Sequence, residues 1–289
     1  MPALPLNLAP GADFRFAITF TPTTLGFSSG TLLVDTTTIA LVGSGTQPPA
    51  LPAYTIVGPS GTAAPKSQPS IGVTLAEPYP VALAGTLTLS VSGSLTADPA
   101  VQFATGGRTV PFVIPANTPN AVFGSQGTQI GLQTGTVAST FTVTPFFATQ
   151  AGSVDITPKT PPTLQFAVAP AAPTLTSIQL TGQTANSFSI VVTGFTTTRT
   201  LTAWNAQFTT APGVSMPTAQ FTVDVSQIAA VWFQRSASQA FGGQFTMTVP
   251  FTFESTLPIG QSLVSGIASV SVTMSNEVGT SSPVQAKVQ

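Results

Sequence analysis

Residues 86–92, TLTLSVS, alternate apolar and hydroxyl side chains along their whole length, and that period of two marks a strand with one face in a core and the other in solvent. The same alternation returns in TFTVT (140–144), SFSIVV (187–192), QFTVDV (220–225), QFTMTVPFTF (244–253) and SVSVTMS (269–275). These segments are rich in Val, Ile, Phe and Thr, which pack well on a pleated surface. Strands recurring at intervals of about ten residues, with Gly and Pro turns between them, point to β-sandwiches rather than βαβ units. Helical signal is nearly missing. In VDVSQIAAVWFQ (223–234) the apolar residues cluster without a clean 3.6 period, so at most a short turn is expected there.

Two proline-rich stretches, GTQPPALPAY (45–54) and PAAPTLTS (170–177), read as short, semi-rigid linkers, because proline cannot donate to a ladder and biases its neighbours to extended shapes. They divide the chain into residues 1–47, 48–172 and 173–289. The two longer pieces suit immunoglobulin-like sandwiches, which need about 100 residues each. The expected fold is therefore all-β: tandem immunoglobulin-like β-sandwiches behind an N-terminal partial β-domain. In that first piece Phe16, Ile18 and Phe20 alternate onto one face, Gly26 and Gly30 permit a tight turn, and Leu33 and Leu41 are expected to line one core. Three strands with one apolar face make a marginal unit.

Charged residues are only 5% of the 289, against about 25% in an average soluble protein. Serine, threonine, glycine and proline nevertheless break every apolar run well short of the roughly 20 residues a membrane-spanning helix needs. The seven basic residues are scattered singly over a chain of net charge −1, so no patch exists to neutralise a run of phosphates or anionic lipid heads, and neither nucleic acid nor membrane insertion is expected. With little charge to keep copies apart, self-association is expected. The absence of cysteine excludes disulfides and thiolate chemistry. The opening residues carry neither the basic region nor the apolar region of a secretory signal.

The chain has no histidine, which removes the usual serine triads and histidine metal sites. Its eight acids, Asp13, Asp35, Glu77, Asp98, Asp155, Asp224, Glu254 and Glu277, are dispersed, whereas a calcium loop needs several within about a dozen residues. No catalytic residue, cofactor or metal site is predicted, and the chain is not expected to be an enzyme. ATGGRTV (104–110) reads as a hairpin turn with Arg108 at its edge rather than a phosphate loop. Among the aromatics, phenylalanine, with 20 copies, indicates core. Candidate ligand contacts are therefore confined to Tyr79, set between prolines in what reads as an exposed loop, and to Trp204 and Trp232, both of which the sequence favours as buried. Those three exposed and coplanar would favour a sugar-binding face; buried, they would favour architecture.

The strand FAITFTP (16–22), the glycines Gly26 and Gly30, GTLLV (30–34) and IALVGSG (39–45) resemble, in order and spacing, the C-terminal half of the ASH or hydin-like immunoglobulin family of bacterial choice-of-anchor D proteins. DPAVQFATGGRTVPFVIPANTPNAVF (98–123) and IGLQTGTVASTFTVTPFF (130–147) resemble a repeat of large secreted acidobacterial proteins, in which TGTVA.T forms a strand. The end VSVTMSNEVGTSSPVQAKV (270–288) is similar to the final strand of many bacterial immunoglobulin-like modules. The resemblance implies an adhesive or architectural role at the cell surface or outside the cell, without catalytic residues to transfer. A self-associating fibre subunit is a specific form of it, with partners reached through β-surfaces or strand addition. The alternative is a carbohydrate-binding module with a glycan as ligand.

Overall fold

The computed structural model describes residues 10–22, 24–95, 98–216, 218–253, 262 and 264–288. Near the start, β1 (Gly26–Val34) and β2 (Thr37–Gly45) form an antiparallel two-stranded sheet. Residues 16–22, expected as a strand, join no ladder. The segment instead lays the Phe20 ring over Gly43, where a β-carbon would sit 2.7 Å from the ring. The register pairs Leu33 with Thr38 and Gly30 with Leu41, so Leu33 and Leu41, expected to share a core, point to opposite faces of the hairpin. Both faces carry exposed apolar residues: on one, Phe27 is 76% exposed and Val42 71% exposed, with Leu33 also exposed, and on the other Val34 and Ile39 are exposed. Phe16, Ile18 and Phe20 of the preceding segment are exposed too.

The first sandwich contains β3 (Tyr54–Val57), β4 (Gly61–Thr62), β5 (Ser70–Leu75), β6 (Leu83–Gly93), β7 (Gln102–Phe103), β8 (Thr109–Ile114), β9 (Gln129–Gln133), β10 (Ser139–Thr149) and β11 (Leu164–Val168). One sheet runs β4-β11-β10-β6-β8 and the other β3-β5-β9-β7. TLTLSVS lies in β6, with Leu87 and Leu89 buried and Thr88 and Ser90 exposed. Its Leu87 and Leu89 meet Ile71, Phe103, Ile130 and Phe141 in one core. ATGGRTV is not a hairpin: β7 and β8 belong to different sheets. Positive φ at Gly106 and Gly107 carries the chain from one sheet to the other.

The second sandwich comprises β12 (Thr174–Thr181), β13 (Ser187–Phe195), β14 (Ala203–Thr210), β15 (Gln220–Asp224), α1 (Ser226–Gln234), β16 (Gln244–Thr252), β17 (Ile267–Ser275) and β18 (Val284–Lys287). Its sheets are β12-β13-β16 and β15-β14-β17-β18. Phe188, Phe208, Phe221 and Phe251 pack edge-on or tilted in its core. The helix α1 corrects the expectation of at most a short turn. The Asp224 carboxylate accepts the Ser226 backbone N–H at 2.9 Å where the helix starts. Val225, Ala229 and Phe233 then repeat every four residues along a buried stripe. The period was hidden because Ile228 and Val231, equally apolar, are exposed.

Candidate functional site: the joint between the sandwiches and the cleft beside it

The residues of the joint are mostly threonine and glycine in turns. Residues 134–138, TGTVA, were expected within a strand; they form the loop between β9 and β10, with the Thr134 N–H and Gly135 carbonyl bonded to Ser67 and Lys66 of the same sandwich and Ala138 reaching the other. Ala138 donates its N–H to the Thr197 carbonyl at 2.8 Å. Gly243 donates its N–H to Thr136 Oγ1 at 2.8 Å. Thr134, Thr136, Thr196 and Thr197 are all buried, so their hydroxyls satisfy backbone groups that water does not reach.

The linkers are fixed to the same bodies. Tyr79 donates its hydroxyl to the Pro49 carbonyl at 2.6 Å. Tyr54 donates to Pro162 at 3.0 Å, and burial pushes its phenol up to about 12. Thr197 Oγ1 accepts the Ala171 N–H at 2.7 Å, and Asn276 Nδ2 donates to the Ala171 carbonyl at 2.8 Å.

Two charged groups lie at the joint. Arg199 is buried at positive φ, an uncommon place for a side chain with a β-carbon. Its guanidinium donates to the carbonyls of Phe233 and Gly242 and to Ser238 Oγ, and it lies 5.1 Å from the Phe233 ring centre. It thereby binds the C-terminal end of α1, where a cation is favoured, to the turn that enters β16. Burial lowers the guanidinium from its ordinary range, and the Asp98 carboxylate acts in the opposite direction. Asp98 belongs to the first sandwich: Oδ1 accepts the Ala100 N–H, and its carbonyl accepts from Arg108. Among the described residues its buried Oδ2 has no hydrogen-bond partner, and it sits against Gly135 and Gly242, where a β-carbon would approach to 2.7 and 2.8 Å.

Beside the joint opens a cleft of about 450 Å³, within the size range of small-ligand sites. Lys66 of the first sandwich reaches over it, with Nζ 5.7 Å from the Phe195 ring centre. The opposite wall carries Trp232 from α1 and Phe241 from the turn after it, ring centres 6.2 Å apart and planes 34° apart. Gln244 fixes both: its carbonyl accepts the indole N–H at 3.4 Å, and its side-chain amide donates to the Phe241 carbonyl at 3.2 Å.

The three sequence candidates are not brought together. Tyr79, expected in an exposed loop, is 1% exposed. Its ring is apolar enough to enter the first core, and its hydroxyl finds a partner there. Trp204 is fully buried in the second core, 5.8 Å from the Phe251 ring, and among the described residues its indole N–H has no partner. Trp232 alone reaches a surface cleft, half-buried. Phe241 and Lys66 were not singled out in sequence; one stands in an unremarkable turn and the other is isolated, so no local signal distinguishes them. Among the described residues no three His, Cys, Asp or Glu side chains gather as a metal site, and no helix is long and apolar enough to cross a membrane. Glu254 lies outside the described residues.

No protein-family model and no curated protein matches this chain. Solved structures that it resembles include a two-domain fibronectin type-III segment from chicken tenascin, at 9% identity and TM-score 0.33, covering 80% of this chain and 95% of that one. A second is the chicken CNTN1 FN1-FN3 segment, at 11% identity and TM-score 0.24, covering 87% of this chain and 70% of that one. A third is the class 5 fimbriae chaperone CfaA, at 9% identity and TM-score 0.29, covering 82% of this chain and 99% of that one.

Proposed function

We propose that this chain is a non-catalytic architectural module of a bacterial cell-surface or extracellular protein: two β-sandwiches held as one stiff unit by the threonine-rich joint, preceded by an open β-hairpin that joins a second copy by strand addition. The single observation that carries the reading is the hairpin's exposed apolar surface: the register sets exposed Phe27, Leu33 and Val42 on one face and exposed Val34 and Ile39 on the other. A two-stranded ribbon is marginal alone and gains stability from additional strands, and an exposed apolar edge is a template for pairing. The low charge of the chain offers little repulsion between copies. The resemblance of residues 14–45 to the end of a hydin-like domain supports the same reading. Light scattering coupled to size exclusion tests it. The parent chain is expected to associate as its concentration rises, and the Phe27→Glu, Val42→Glu double variant to remain monomeric. A parent chain that stays monomeric throughout, completed only by strands of a neighbouring domain, contradicts self-association.

A further inference from the structure

We infer that the cleft between the sandwiches is a binding site for an acidic oligosaccharide, with Trp232 and Phe241 as its stacking floor and Lys66 as the group that pairs with a uronate carboxylate. The inference is independent of hairpin association. Its chemistry follows from the lining. Two aromatic faces, carrying negative quadrupoles, suit the C–H-rich face of a pyranose. The Gln244 carbonyl accepts the Trp232 indole N–H and the Gln244 amide donates to the Phe241 backbone carbonyl, so the Trp232 ring and the Phe241 backbone are placed before any ligand arrives, which lowers the ordering cost of binding. The wall formed by β12 and β13 adds the hydroxyls of Thr176 and Thr193, their Oγ1 atoms 3.1 Å apart, which can donate to or accept from sugar hydroxyls. Among the described residues no carboxylate lines the cleft, and the one charged group lining it is the Lys66 ammonium. Among the described residues Lys66 makes no ion pair. A neutral sugar would leave that cation unused, whereas a uronate gives it a charge-assisted hydrogen bond.

The joint adds a structural reason for the site to exist as one piece. Lys66 comes from the first sandwich and the aromatic pair from the second, so the cleft depends on the fixed juxtaposition that Ala138–Thr197 and Thr136–Gly243 impose.

Calorimetric titration of the full chain with α-1,4-linked trigalacturonate, and with the neutral trigalactoside of the same linkage, tests the assignment. The acidic trimer is expected to bind and the neutral one to bind roughly tenfold more weakly. Lys66→Met is expected to remove that difference, leaving the weaker shared binding. Trp232→Ala is expected to reduce binding of both, with Trp232→Phe restoring part of it; circular dichroism identifies any variant that has not folded. Phe241→Ser, at a side chain already half exposed, repeats the test without touching the helix. No binding up to about 10 mM, equal binding of the two trimers, or binding unchanged by Trp232→Ala and Phe241→Ser would each overturn the inference. None of these outcomes alters the oligomeric state on which the proposed function rests.

Discussion

Thr136 of the first sandwich accepts the backbone N–H of Gly243 in the second at 2.8 Å, with both groups buried. The bond turns two sandwiches into one body, because breaking it leaves a donor in a place water does not reach. Thr136→Val keeps the shape and removes the acceptor, so it is expected to cost about 1–3 kcal/mol. Calorimetry should then resolve two melting transitions where the parent shows one. Gly243→Ala is expected to be more damaging, since its β-carbon would come within 2.2 Å of the Thr196 carbonyl oxygen, a backbone atom that cannot rotate away.

Arg199 should resist conservative replacement. Its guanidinium serves two carbonyls and a hydroxyl at once while lying over Phe233, and an ammonium cannot reproduce that planar fork. Arg199→Lys and Arg199→Met are both expected to destabilise the second sandwich by about 3 kcal/mol or more. Urea unfolding followed by circular dichroism measures it. The Asp98 Oδ2 predicts an asymmetric outcome. Asp98→Asn keeps the volume but places an uncompensated amide against Gly135 and Gly242, so it is not expected to match the parent.

Asn276 pins the second linker. It donates to the Ala171 carbonyl and the Thr196 and Thr198 hydroxyls, and its own carbonyl oxygen accepts from the Val278 and Gly279 backbone N–H groups. Asn276→Ala orphans several of these groups together, with an expected loss of about 2 kcal/mol. Amide exchange at Ala171 and Ala172 should rise in the same variant.

Tyr54 links stability to alkaline pH. Its phenol is pushed from an ordinary 10.0 to about 12 by burial. Between those values the unfolded chain has released the proton while the native one keeps it, so the unfolded state binds fewer protons and stability falls as pH rises. The contribution is fully present below pH 10 and is lost as pH passes through about 12. Tyr54→Phe is expected to flatten that part of the stability profile, and absorbance titration of the phenolate checks the shifted ionisation.

The sandwiches were legible because burial on one face writes itself into a strand every second residue: Leu87 and Leu89 in, Thr88 and Ser90 out. The helix was not, since exposed Ile228 and Val231 blur the stripe of Val225, Ala229 and Phe233. Tyr79 deceived for a different reason. Prolines on both sides suggest a loop in solvent, but its ring enters the first core and its hydroxyl finds the Pro49 carbonyl, thirty residues away in sequence. The joint left no mark of its own: TGTVA reads as part of a strand and TTTR (196–199) as an ordinary turn, and their pairing exists only once both sandwiches have formed. Of the candidate site, Trp232 was visible as a rare residue type. Lys66 and Phe241 acquire meaning only from the fold that brings them beside it.

Hydrogen exchange of residues 26–45, followed as protein concentration is raised, tests the central claim most directly. Among the described residues the two strands pair only with each other, so their outward amides are expected to exchange rapidly when dilute. They should become protected as copies add strands to the open edge. Exchange that is already slow in the dilute monomer, or that does not change with concentration, would contradict assembly through this hairpin.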